Sequence, residues 1–314
     1  MNFNEVKTTA VVGAGNIGHG IALTLGLAGY EVRLNSTNDA SLQKGMDFIK
    51  ADLDRLVRLD MTKPEAALAN ISTTTSLDEA SRDCDVVIEA VYENVELKHQ
   101  IFRNLDAFCL ERAILASSTS AIISSRFAEV TQCPDRVLVT HYTGPAYVSP
   151  LVEIVRTEQA SNETVDIMFQ VLKKPGRRPV IIQKGVPGFI AVRLEVAMAR
   201  EALSMVQRGI ASPEDIDTVL KTVHPRRWVA AGFFESFEVG PGWSLFLTGL
   251  KQVLPDIDSS MDVFQFLQEK VDKDELGVKT GKSFYDWTQE ATETTRQKIA
   301  KVFIEIEMWS ENSA

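Results

Sequence analysis

Apolar positions in the first half of the chain come in short β-branched runs, separated by stretches of helical periodicity. Residues 8–12 form the first run, and a glycine-rich segment at 13–18 follows at once. Ile21, Leu25 and Ala28 then recur at helical spacing until Gly29 stops the pattern. Residues 31–34 predict a second strand, and 39–68 a long polar, helix-prone stretch. Runs at 85–89, 113–116 and 136–140 predict three more buried strands, and 151–155 alternates in the manner of another. Strands separated by helices imply parallel pairing through right-handed crossovers, hence an α/β fold built on a Rossmann-type doubly wound sheet.

After Gly185-Val186-Pro187-Gly188 the pattern changes. From residue 189 it is mostly helical, broken near Pro213, at 240–242 and between Gly277 and Gly281. The expected organisation is a dinucleotide-binding domain over 1–185 and an all-α domain for substrate and dimerisation over 186–314. Two domains are also what 314 residues suggest at about 150 per domain.

Charge and cysteine content narrow the partners. With 33 Lys+Arg against 43 Asp+Glu the net charge is −10, which argues against nucleic acid or an anionic membrane as the main partner. One anionic pocket lined by a few positive groups remains compatible with it. Cys84, Cys109 and Cys133 lie far apart, without a C-x-x-C or a Cys/His cluster. No disulfide framework and no metal site are expected, and a reducing cytoplasm fits. The first strand begins too early to leave room for a secretion signal, and no apolar run approaches the ~18 residues that span a bilayer.

Gly13-Ala14-Gly15-Asn16-Ile17-Gly18 sits between a predicted strand and a predicted helix, the context in which such a turn holds a pyrophosphate. Gly13 permits the tight turn, Gly15 lets the backbone approach the ligand, and Gly18 lets helix and strand pack closely. Asn16 and Ile17 complete the turn, whose amides and helix dipole favour an anion. The plainer alternative is a tight turn without a ligand. The carboxylate expected about 20 residues on, which would bind the adenosine ribose and repel a 2′-phosphate, is replaced by Asn35, followed by Ser36 and Thr37. NAD is the expected cofactor and NADP the alternative.

Among four histidines, His141 directly follows the strand at 136–140, at the edge where open α/β sheets place their ligands. Glu153 lies twelve residues on, in the returning segment, and a histidine with such a carboxylate can act as a base and its orienting partner. The alternatives are a loop histidine satisfied by its surroundings and a solvent-facing glutamate. Ser117 to Ser120 end the preceding strand and could bind substrate oxygen, bind nicotinamide, or cap the next helix. Glu93 and Lys98 have a similar address, with a solvated ion pair as the alternative.

Taken in order, the motifs GAGNIGHGIA (13–22), EAVYENVELK (89–98), SSTSAI (117–122), HYTGPAYVSPLVEIV (141–155) and VPGFIAVRL (186–194) resemble the 3-hydroxyacyl-CoA dehydrogenase superfamily. RGIASPEDID (208–217) and LGVKTGKSFYDW (276–287) extend the resemblance into the helical half. Residues 150–153 and 226–228 lean towards short members that act on small hydroxy acids, L-gulonate 3-dehydrogenase (lambda-crystallin) and carnitine dehydrogenase. The resemblance implies His141 as base, Glu153 as its partner and Ser120 as the serine that positions oxygen. It places Glu93 and Lys98 near the nicotinamide end of the cofactor, and it implies a homodimer through the helical domain.

Two positions depart from the superfamily pattern. Gly144 stands where His-x-x-Asn-Pro has its asparagine, and Val192 where Pro-Gly-Phe-x-x-Asn-Arg has one. Losing a hydrogen-bonding group at the reacting oxygen typically costs on the order of 10²–10³ in rate. Either Thr143 or Tyr142 substitutes, or the substrate is not a plain 3-hydroxy acid. The stretch 45–59 interleaves Lys50, Arg55 and Arg58 with Asp47, Asp52 and Asp54, giving no basic patch for the phosphates of CoA. Arg226 and Arg227 are the candidates for gripping a substrate carboxylate, with a solvated helix end as the alternative. The expected activity is NAD(P)-dependent oxidation of a small, non-CoA hydroxy acid. The alternatives are altered chemistry such as oxidation of an aldehyde hydrate or attack of water, an acyl-CoA dehydrogenase, and a non-catalytic crystallin-like protein.

Overall fold

A computed structural model of the chain describes residues 1–58 and 64–312. Its first part contains, in order, β1 (Thr8–Val12), α1 (Gly18–Leu27), β2 (Glu31–Asn35), α2 (Asp39–Arg58), α3 (Pro64–Ala69) and β3 (Ile71–Thr74). It continues with α4 (Leu77–Ser81), β4 (Val86–Glu89), α5 (Val95–Phe108), β5 (Ile114–Ser117), α6 (Ser125–Ala128) and β6 (Val137–Tyr142), then β7 (Leu151–Arg156), α7 (Asn162–Lys173) and β8 (Arg178–Ile182). Of the helix-prone stretch expected at 39–68, residues 59–63 lie outside the described residues.

The eight strands form one sheet in the order β3-β2-β1-β4-β5-β6-β7-β8. Neighbours pair in parallel except β6 and β7, which are antiparallel. No helix intervenes between β6 and β7, so the parallel pairing implied for helix-separated strands does not apply there. Residues 143–150 are too few for the crossover of a dozen or more that parallel strands need, so the chain turns back. Strand order reverses between β1 and β4, and the crevice beyond the carboxyl ends at such a point is where open sheets bind ligands.

Every residue of β4, β5 and β6 is buried, as expected for strands covered by helices on both faces. Val12, Val87, Leu115, Val137 and Val139 form one core with Phe102 of α5 and Phe127 of α6, whose rings stack at 4.9 Å. Helix α5 shows why these segments are helical. Asn94 caps its first turn by accepting from the Leu97 amide at 2.8 Å, and Lys98, Ile101, Phe102 and Leu105 fall on one buried stripe.

The chain divides into two compact units, 1–193 and 194–314. Helix α8 (Ala191–Gln207) crosses that division. The second unit continues with α9 (Pro213–Thr222), α10 (His224–Ala231), α11 (Phe233–Glu238), α12 (Gly242–Val253), α13 (Asp262–Asp272) and α14 (Gln289–Asn312). Ser212 caps α9, with Pro213 in the first turn. Helices α9, α10, α12 and α13 bury no residue completely, and Phe234, Val239, Leu245, Leu247, Met261 and Phe264 are exposed. Among the described residues no helix is long and apolar enough to cross a membrane, and no group of three or more metal-ligating side chains occurs.

Candidate active site

The glycine turn has the conformation its residues dictate. Gly13 has φ +111°, and a Cβ there would lie 2.6 Å from Ala90 O. A Cβ on Gly18 would lie 1.8 Å from Gly13 O, so α1 can begin this close to β1 only with glycine at that position. A Cβ on Gly15 would meet nothing within 4 Å, and Gly15 and Asn16 are exposed. This open, amide-lined turn at the start of α1 fits a dinucleotide's pyrophosphate. Ile17 is half-buried beside it. Asn35, at the end of β2, is buried and donates from Nδ2 to Thr74 O at 3.0 Å, which leaves Oδ1 free to accept from a ribose hydroxyl. Ser36 follows, half-buried.

His141 and Glu153 are direct partners across the β6–β7 pair, and His141 Nδ1 lies 2.7 Å from Glu153 Oε2. The other carboxylate oxygen accepts from the amides of Ile190 and Ala191, at 2.9 and 3.0 Å, where α8 begins. The side chain of Glu153 is 1% exposed. Burial raises the pKa of its carboxyl, but the bonds from His141, Ala191 and Ile190 outweigh burial and hold it below the ordinary carboxylate range. Glu153 is thus an anion at neutral pH. It accepts from Nδ1–H, so in a neutral ring the lone pair falls on the opposite nitrogen, Nε2. Phe189, buried and in a left-handed conformation (φ 48°), sets its ring 5.6 Å from the imidazole.

Other sequence-derived candidates gather at the same sheet edge. Ser117 pairs with Val139 across β5 and β6, so Ser120, three residues past the end of β5, and His141, the penultimate residue of β6, lie towards the same edge of the sheet. Ser120 is exposed. Val192 is half-buried in the first turn of α8, two residues beyond the amide of Ile190 that holds Glu153. The hydroxyl of Thr143 is taken by Ser149 Oγ at 2.5 Å. Tyr142 is buried, with no hydrogen-bond partner for its hydroxyl.

Lys98 is a different object from a solvated ion pair. It is 1% exposed, and its ammonium lies 2.7 and 2.9 Å from the two oxygens of Glu89, itself fully buried at the end of β4. Ser117 Oγ and the Val91 amide also donate to Glu89, at 2.6 and 2.7 Å. Glu93 is exposed, lies 3.4 Å from the same ammonium, and accepts from the Thr119 hydroxyl. Sequence reasoning missed Glu89, although a carboxylate ending a wholly apolar strand was a usable signal. Arg226 and Arg227 are exposed on α10, in the helical unit. Arg226 donates to Lys221 O at 3.1 Å and lines a cavity of about 330 Å³ with Val229, Val302, Glu305, Ile306 and Trp309.

Comparisons with known proteins agree with this architecture. Residues 8–185 match the family model "3-hydroxyacyl-CoA dehydrogenase, NAD binding domain", and 188–287 match the C-terminal domain of the same family. The chain is 27% identical to 5-formyl-3-hydroxy-2-methylpyridine 4-carboxylate 5-dehydrogenase of Mesorhizobium japonicum, over 96% of this chain and 97% of the other. It is 32% identical to the probable 3-hydroxybutyryl-CoA dehydrogenase of Bacillus subtilis, over 92% and 100%. A solved structure of a 5-formyl-3-hydroxy-2-methylpyridine 4-carboxylic acid 5-dehydrogenase, described as an NAD+-dependent dismutase, superposes with a TM-score of 0.90 at 25% identity, covering 98% of this chain and 99% of that one. Two family domains in tandem, with relatives above 30% identity along nine-tenths of the chain, lead to one conclusion: the chain belongs to the 3-hydroxyacyl-CoA dehydrogenase family and is an NAD-dependent dehydrogenase.

Proposed function

We propose that the chain oxidises the hydroxyl group of a small, non-CoA carboxylate, with His141 and Glu153 as its acid–base pair. The observation that carries the chemistry is the buried contact of 2.7 Å between His141 Nδ1 and Glu153. His141 Nε2 takes the hydroxyl proton, and the anionic Glu153 stabilises the imidazolium that forms. Bound NAD+ supplies the acceptor for the carbon-bound hydrogen and its electron pair. Gly13, Gly15, Asn16, Ile17 and Gly18 seat the pyrophosphate, Asn35 and Ser36 the ribose. Glu93 faces the nicotinamide end, and Lys98 acts from below by holding Glu89 and Glu93 in place. Ser120 orients the substrate oxygen, Val192 and Thr143 shape the pocket wall, and the charge of Arg226 and Arg227, on α10, suits a substrate carboxylate.

The absence of CoA rests on charge and on resemblance. Exposed Lys50 and Arg58 on α2 alternate with exposed Asp47 and Asp54, while Asp52 and Arg55 pair with each other. The likeness to the pyridine carboxylate enzyme extends over almost the entire length of both chains. Val192, an apolar side chain beside the acid–base pair, favours a second reading of the same site. There an aldehyde reacts as its hydrate, one hydroxyl giving its proton to His141 and the carbon becoming a carboxylic acid. NADH formation across small hydroxy acids, aromatic aldehyde carboxylates and 3-hydroxybutyryl-CoA tests both readings. Turnover of the acyl-CoA far above all small carboxylates overturns the non-CoA assignment, and Val192→Asn is expected to favour ordinary 3-hydroxy acids.

The exposed apolar side chains of the helical unit support a homodimer in which these faces are covered. Light scattering that gives a monomer mass at micromolar concentration refutes it. Three free cysteines, two of them buried, suit a reducing cytoplasm.

A further inference from the structure

His19 lies one residue into α1, and none of the roles above uses it. Its Nδ1 is 2.7 Å from Gly15 O, which also accepts the His19 amide at 3.1 Å. Its Nε2 is 3.0 Å from Asp52 Oδ2 on α2, and the other oxygen of Asp52 pairs with Arg55. A backbone carbonyl and an ionised carboxylate only accept hydrogen bonds, so each ring nitrogen must carry a proton to make its bond. The ring that makes both bonds is the imidazolium. The imidazole is 12% and the Asp52 carboxylate 6% exposed, and the Phe48 ring covers the histidine at 5.1 Å. The contact is therefore shielded from solvent screening.

This tether acts on the cofactor turn itself. In a trans peptide the carbonyl and the next amide point in opposite directions. Two donors from the helix side hold Gly15 O, so the Asn16 amide is turned outward, on the open side of the turn. We propose that His19, as its imidazolium, is a positioning residue for the dinucleotide: it locks the Gly15–Asn16 peptide to α2 and adds one positive charge beside the pyrophosphate. The inference rests on the dinucleotide site alone, so it stands or falls independently of the substrate reading.

Among the described side chains, the titratable groups facing this ring can be named element by element. On α2 they are Asp52, Arg55 and Lys44, the last lying over Phe48 at 5.7 Å from the ring centre. The other charged residues of α2, Asp39, Asp47, Lys50, Asp54 and Arg58, are exposed. Helix α1 has no second titratable side chain, and the segment 143–150, which approaches Gly20, carries only Tyr147. On β2, Glu31 and Arg33 lie 3.8 Å apart and pair with each other.

Calorimetric titration of the full-length protein with ADP-ribose between pH 6 and pH 9 tests the proposal, because this probe lacks the nicotinamide that approaches His141. Because both bonds need a proton on each ring nitrogen, wild-type affinity is expected to be about tenfold lower at pH 9 than at pH 6. His19→Gln is expected to bind about tenfold more weakly at pH 6 and to show a nearly flat profile. Asp52→Asn, whose amide can pair with either ring form, is expected to respond to pH less than the wild type. Thermal melting of each variant verifies that it is folded. The proposal is overturned if His19→Gln binds like the wild type at pH 6, if its affinity falls in parallel with the wild type, or if Asp52→Asn keeps the full pH response.

Discussion

Glu153→Gln isolates the role of the carboxylate from its packing. The glutamine oxygen can still accept from the amides of Ile190 and Ala191, which now bond Oε1 at 2.9 and 3.0 Å. Its amide nitrogen then faces His141 Nδ1, where the wild type has an acceptor at 2.7 Å. Two donors cannot bond, so the neutral imidazole shifts its proton to Nε2, the nitrogen that must take the substrate proton. The variant also loses the charge that stabilises the imidazolium. A wrong tautomer together with a missing counter-ion costs roughly 10³–10⁴ in kcat, about 4–5.5 kcal/mol at 1.36 per decade. The fold loses much less, about 1–2 kcal/mol, because the two amides keep an acceptor. Steady-state kinetics with the best substrate, alongside urea denaturation, reads both quantities. A folded Glu153→Gln protein that retains more than about a tenth of the wild-type kcat refutes the base–orienter reasoning.

Other expectations follow from the same contacts. The Glu153 carboxyl titrates below its ordinary range in the folded protein, so its stabilising contribution is fully present above the unfolded value of about 4.3 and is lost as pH falls through the folded value. The stability gap between wild type and Glu153→Gln should thus narrow on acidification below that range, and a constant gap down to acid unfolding contradicts it. Lys98→Met leaves Glu89 buried without its cation and should cost about 3–5 kcal/mol in urea denaturation. A loss under about 1 kcal/mol means that the pair is not the support described. Gly15→Ala should leave the melting temperature unchanged, since its Cβ meets no protein atom, yet weaken NAD+ about tenfold or more. Equal affinity would show that the space above Gly15 is not the ligand's.

The central strands and the glycine turn were legible because their residues admit few alternatives. Apolar runs such as 85–89 and 136–140 suit strands covered on both faces, and Gly13 and Gly18 leave room for nothing larger. The edge strands β3 and β8 were not legible. Both are only partly buried; Ile71–Thr74 has a single apolar residue, and in Arg178–Ile182 a proline at the second position argues against a ladder strand. The return into β7 could be read from the sequence, but its residue-by-residue register against β6 could not, because local pattern does not report strand pairing.

The candidate site divides in the same way. His141 and Glu153 could be paired from their positions at a strand end and a return strand. The amides of Ile190 and Ala191 on Glu153 could not, since backbone donors leave no trace in residue identity. The partnership of Lys98 with Glu89 spans two elements and emerged only from the packed structure. The imidazolium geometry of His19 depends on Asp52, 33 residues away on another helix.

The central claim is that His141 removes the hydroxyl proton in an NAD-dependent oxidation. Its most direct test is the initial rate of NADH formation by wild type and by His141→Ala, at saturating NAD+, with the best small carboxylate substrate. A fall of roughly 10³-fold or more, with ADP-ribose affinity retained, is the predicted result. Near wild-type turnover by a folded His141→Ala protein contradicts the account.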